Sequence, residues 1–138
     1  MDVVACRARV MEATASRVNP KCILVVEDDD AIRDLIADIL DNAGYRVERA
    51  ADGLQALVKV RAARPDVVVL DLMMPIMDGW TFMEQFRQIP DSIGTPVVVT
   101  SAYRTHNQGE TARKLKVQAY LAKPFDVAML IGVIKSLL

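Results

Sequence analysis

Five short strand-like runs, each followed by a stretch of helical periodicity, constrain this chain more than any other feature. The runs are "CILVV" (22–26), "YRVERA" (45–50), "DVVVL" (66–70), "PVVVT" (96–100) and "QAYLA" (118–122). The first, third and fourth place aliphatic residues at consecutive positions, so both faces of each strand must be buried. A parallel sheet covered by helices on each side meets that demand. Between the runs, Ile32, Leu35, Ile36, Ile39 and Leu40 recur at helical spacing and Gly44 supplies a stop. Leu54, Leu57, Val58 and Arg61 mark a second helix that closes near Pro65. Residues 79–89 form a third, with Phe82, Met83 and Phe86 facing inward. The polar stretch 105–116 makes a weak helix whose main anchors are Ala112, Leu115 and Val117, and residues 125–138 close the chain as a strongly apolar one. Strict alternation with right-handed crossovers predicts a doubly wound α/β sheet with helices on both faces.

The remaining composition narrows the class. A length of 138 residues suits one domain, and 52% hydrophobic with 25% charged residues suits a globular chain. A net charge of −1 gives no reason to expect a nucleic-acid or membrane-surface partner, and no apolar run approaches a membrane span. Residues 1–20 stand apart as an N-terminal extension ahead of a domain over 21–138. They carry Asp2, Arg7, Arg9 and Glu12, and arginine interrupts any signal-peptide core. Cys6 and Cys22 are too few for a disulfide framework or a four-ligand zinc site, which fits a reducing cytoplasm. His106, the sole histidine, has no partner at catalytic spacing and reads as solvated.

The residues just beyond each apolar run carry the chemistry. The first run ends in Glu27-Asp28-Asp29-Asp30, the third in Asp71, the fourth in Thr100-Ser101 and the fifth in Lys123-Pro124. An ionised Asp at an apolar strand end is costly unless its charge is compensated. In a doubly wound sheet the strand carboxyl ends share one edge, where ligands bind. Acids from two strands, a hydroxyl and an ammonium therefore converge on one spot. Oxygen-only ligands without His or Cys favour a hard cation, Mg2+ or alternatively Mn2+, over zinc. Lys123 would neutralise further negative charge, and Thr100 could hydrogen-bond a phosphoryl oxygen. Asp30 reads as a helix cap and Asp29 is open between cap and ligand. Asp78-Gly79 reads as a turn.

The stretches "VVEDD", "VVVLDLMMPIMDG", "VVVTSA" and "YLAKPF" together resemble the receiver domain of two-component response regulators, in order and at the right spacing over residues 21–138. That resemblance implies a flavodoxin-like sheet of order 2-1-3-4-5. It implies that Asp71 takes a phosphoryl group from a sensor histidine kinase or phosphotransfer protein. Asp28 would ligate Mg2+ directly, Glu27 mainly through water, and Met73 through its carbonyl. Lys123 would pair with the phosphoryl oxygens ahead of a cis Pro124. Thr100 would be the switch hydroxyl, with Ser101 beside it among the phosphoryl-binding and switch residues and Tyr120 moving in behind. The surface made by the fourth helix, fifth strand and last helix would then change for an effector protein.

On this reading the chain is a cytoplasmic, single-domain signalling switch without an output module, and not an enzyme. Its last helix is apolar nearly all round, with Val127, Leu130, Ile131, Ile134 and Leu138 toward the sheet and Ala128, Met129, Val133 and Leu137 elsewhere. That pattern points either to deep burial or to a partner surface, of which an effector or homodimer face is the favoured expectation. The stretch "LKVQAYLAKP" departs from the resemblance by lacking a Gly-Ala pair before the fifth strand. The resemblance implies that Met73 and Ala102 stand at positions that influence hydrolysis of the phosphoryl group; being apolar they cannot orient a water, so its slow loss is expected, and a lifetime of seconds would contradict it. A Mg2+-dependent phosphohydrolase would carry a second acid two residues beyond the nucleophile, where Met73 stands. A binding module that had lost phosphorylation would lack one of the acids or the Lys.

Overall fold

Alternation within each buried run decides which helix packs on which side of the sheet. In the computed structural model, which describes residues 20–102 and 108–138, the strands are β1 (Cys22–Val26), β2 (Arg46–Ala50), β3 (Val67–Leu70), β4 (Val97–Ser101) and β5 (Ala119–Ala122). All pair in parallel in the order β2-β1-β3-β4-β5. The helices are α1 (Asp30–Asn42), α2 (Gly53–Ala62), α3 (Gly79–Phe86), α4 (Gln108–Leu115) and α5 (Val127–Leu137). Leu24, Val26, Val68, Leu70, Val97 and Val99 face a core completed by α2 and α3 through Leu57, Phe82 and Phe86. Their neighbours Ile23, Val25, Val67, Val69 and Val98 face a second core built with Ile36, Leu40, Leu130 and Ile134 of α1 and α5. The doubly wound architecture expected from the strand runs is the one present.

The helix faces differ in detail from the expected ones. In α2, Leu54 and Val58 are exposed, while Gly53, Ala56, Leu57 and Val60 are buried. The buried set follows i, i+3, i+4, i+7, the stripe a helix presents to a sheet. Two of its members are too small to register as apolar anchors in the sequence. In α5 the same spacing selects Leu130, Val133, Ile134 and Leu137 for the core, leaving Val127 and Leu138 exposed. Leu35 of α1 is likewise exposed. Helix α3 ends at Phe86, short of the expected 89, where the chain tightens: the Gln88 N–H donates to the Gln85 carbonyl and the Ile89 N–H to the Phe86 carbonyl. Residues 1–19, with the expected extension, and 103–107, with His106 and the expected start of α4, lie outside the described residues.

Candidate functional site

Register builds the site. Val26 pairs with Leu70, so the next residue on each strand, Glu27 and Asp71, emerge side by side at the carboxyl edge. The backbone locks them there: the Asp71 N–H donates to the Val26 carbonyl at 2.9 Å and the Glu27 N–H to the Ala50 carbonyl at 3.0 Å. One carboxylate oxygen from each of Glu27, Asp28 and Asp71 lies within 4.8 Å of the others. Glu27 and Asp71 are buried, at 2% and 4% exposure, whereas Asp28 is exposed and closes the cluster toward solvent.

On the far side, Ser101 pairs with Ala122 and its carbonyl accepts from the Lys123 N–H at 2.8 Å. Lys123 then reaches across, its Nζ 2.5 Å from Glu27 Oε1 and 3.5 Å from Asp71 Oδ2. The Lys123–Pro124 peptide is cis. The Met73 N–H approaches Asp71 Oδ1 at 3.4 Å, and the Met73 side chain is exposed. Thr100 and Ser101 are both buried at the end of β4.

Burial pushes the Glu27 carboxyl up from 4.5 to about 7; the Lys123 hydrogen bond opposes this and the Asp71 charge adds to it. Burial also raises Asp71, against the pull of Lys123. Three carboxylates facing one ammonium leave the ionised cluster short of positive charge. That deficit and the all-oxygen donor set fit a divalent hard cation.

The acidic cluster and Lys123 thus come together as the strand ends implied. Thr100 and Tyr120 do not. Tyr120 packs with Val97 and Val99, on the face opposite Val98, Ala119 and Leu121. Strand alternation puts Thr100 with Val98 and Ser101 with Tyr120. Val99 pairs with Tyr120 and β4 continues to Ser101, one residue beyond the expected 96–100, so the hydroxyl on Tyr120's face is that of Ser101.

Other assignments also shift. Asp29 is the cap of α1, accepting from the Ile32 N–H at 3.0 Å, and Asp30 pairs with Arg33 instead. Asp78 caps α3, and Gly79 begins the helix pressed against the Asp71 loop. Arg33 and Gly79 are the two residues at the site that residue type alone did not single out. Spacing on the inward stripe of α1 was the available signal for the first.

The family model described as the response regulator receiver domain matches residues 23–135. Sporulation initiation phosphotransferase F of Bacillus subtilis is 34% identical over 116 residues, covering 84% of this chain and 92% of that protein. The chain spans about half the length of other curated relatives it matches. Chemotaxis protein CheY4 of Vibrio cholerae superposes with a TM-score of 0.80 at 31% identity, over 86% of this chain and 99% of that one. The response regulator TrrA of Thermotoga maritima, solved in complex with Mg(2+)-BeF, superposes with a TM-score of 0.75 at 30% identity, over 86% and 99%.

Proposed function

Because the chain belongs to the response regulator receiver domains, the phosphoacceptors of two-component signalling, we propose that Asp71 is its phosphorylated residue. The donor is a phosphohistidine of a sensor histidine kinase or phosphotransfer protein. One observation carries this reading: Asp71 is buried within reach of two further acids and of the Lys123 ammonium. Glu27, Asp28, Asp71 and the Met73 carbonyl would hold Mg2+, or Mn2+, which when bound neutralises the carboxylates and the incoming phosphoryl oxygens. Support for that cation comes from the oxygen-only cluster and from the Thermotoga relative solved with Mg(2+)-BeF.

The remaining parts act by position and charge. An Asp71 oxygen forms the new P–O bond in line as the donor's P–N bond breaks and the imidazole keeps the electron pair. Lys123, held between Glu27 and Asp71, turns to the phosphoryl oxygens. Ser101, not Thr100, offers the hydroxyl that follows the phosphoryl group, with Tyr120 on the same face. The response passes to the α4-β5-α5 surface and from there to an effector protein, or to a second copy through exposed Val127 and Met129 of α5. The protein is then a cytoplasmic switch assisting its own phosphorylation, over a domain spanning 21–138. Among the described residues no helix is long and apolar enough to cross a membrane.

Acetyl phosphate with Mg2+ and intact-mass detection test this. One labile phosphoryl gain is expected, lost in Asp71→Ala and on removal of the metal. No gain, together with turnover of small phosphate esters, would replace the switch by a phosphohydrolase.

A further inference from the structure

Arg33 sits on the stripe of α1 that faces the sheet, one helical turn before buried Ile36 and Ala37. A side chain there should pack a core; this one turns its head back to the acidic turn. Nη1 donates to the Glu27 carbonyl at 3.0 Å, and Nη2 meets Asp30 Oδ1 at 2.6 Å. Only 15% of the Arg33 side chain is exposed, against 85% for Asp30, so the fork is fixed from the buried side. The carbonyl it holds belongs to the peptide joining Glu27 to Asp28. That peptide plane sets the ψ of Glu27 and the φ of Asp28, hence the direction in which each carboxylate leaves the backbone.

The rest of the turn is tied down around it. The Glu27 N–H is held by Ala50, the Asp29 N–H donates to Glu27 Oε2 at 3.2 Å, and the Arg33 N–H donates to the Asp29 carbonyl at 2.8 Å. Asp28 is exposed, so its placement depends on this backbone more than on packing.

We propose that Arg33 is a positioning residue for the acidic site: its guanidinium clamps the Glu27–Asp28 peptide and so aims both carboxylates at one divalent cation. This rests on the reading of Glu27, Asp28 and Asp71 as the cation site. Charge alone makes the opposite prediction. A cation this near the cluster repels Mg2+, so deleting it should tighten binding. Loss of an outer partner that orients ligands weakens metal affinity about 10–100-fold.

The test is calorimetric titration of Mg2+ into the unphosphorylated full chain, wild type against Arg33→Met, with thermal melts in chelator as the check on folding. Weakening by about tenfold or more in a folded variant is the expected result. If Arg33→Met does not fold, Arg33→Lys carries the same expectation, since it keeps the charge and stem but not the planar fork. Affinity equal to or tighter than wild type in a folded variant would overturn the positioning role while leaving the site intact. A wild-type chain that takes up no Mg2+ would instead overturn the site, and the proposal with it.

Discussion

Glu27 and Gly79 show how single residues pay for a site at a strand end. Glu27 holds its proton up to about 7 because it is buried. Below about 4.5 the folded and unfolded chains both carry that proton. Between 4.5 and 7 the unfolded chain releases it first, so metal-free stability declines as pH rises through about 7. The raised Asp71 works in the same direction. Urea midpoints in chelator should therefore fall from about pH 5 to about pH 8, less so in Glu27→Gln, and Mg2+ should restore them at the upper end. A flat or rising curve in chelator would contradict this. At Gly79 a Cβ would lie 2.6 Å from the Asp71 carbonyl oxygen and 2.7 Å from Leu72 Cα, both backbone atoms that cannot swing away. Gly79→Ala should cost about 1–3 kcal/mol in urea unfolding. It should also weaken Mg2+ binding, because the shift falls on Asp71.

Among the secondary-structure elements, acids begin most of the helices. Asp29, Asp52, Asp78 and Asp126 each accept a backbone N–H at the start of α1, α2, α3 and α5. Their side chains satisfy donors that a helix start leaves open. Beyond α3 one side chain fastens the chain at several points. Arg87 donates to the carbonyls of Ser92, Thr95 and Lys116 and lies 5.2 Å from the Phe86 ring centroid. It thereby ties the end of α3, the loop into β4 and the residue closing α4, which has a φ of +60. Arg87→Ala should cost about 1–3 kcal/mol through carbonyls left without that donor. Hydrogen exchange should also quicken in α4, whose grip on the core comes from half-buried Leu115 and the following Val117. Unchanged exchange there would show that α4 is held by other means.

For the protein in its entirety, one sheet serves two cores, so neither side can come apart alone. Leu130 belongs to the α1/α5 side and Trp80 packs against the α2/α3 side. Leu130→Ala should cost about 2–5 kcal/mol. Its urea transition should coincide whether followed by Trp80 fluorescence or by far-ultraviolet circular dichroism. Separate transitions would mean that the two cores unfold independently. The functional edge needs this rigidity, because Glu27, Asp71 and Lys123 come from three strands and meet only if the register holds.

The alternation of strands and helices, the covered parallel sheet, and the acids and lysine at the strand ends are all legible in the linear chain. Those features come from local periodicity and from where an apolar run gives way to charge. Which hydroxyl shares Tyr120's face had to await the folded molecule, because it is the pairing of Val99 with Tyr120 that puts Ser101 on that face and Thr100 on the other. So did the contact of Arg33 with the Glu27 carbonyl, since an arginine on an inward stripe looks the same in sequence whatever it meets. Packing also sorted Leu54 and Val58 out to solvent, because the inward stripe of α2 is built on small residues, Ala56 and a Gly53 pressed against Met77, as well as on Leu57 and Val60. Local spacing fixes periods; packing against a particular neighbour fixes faces.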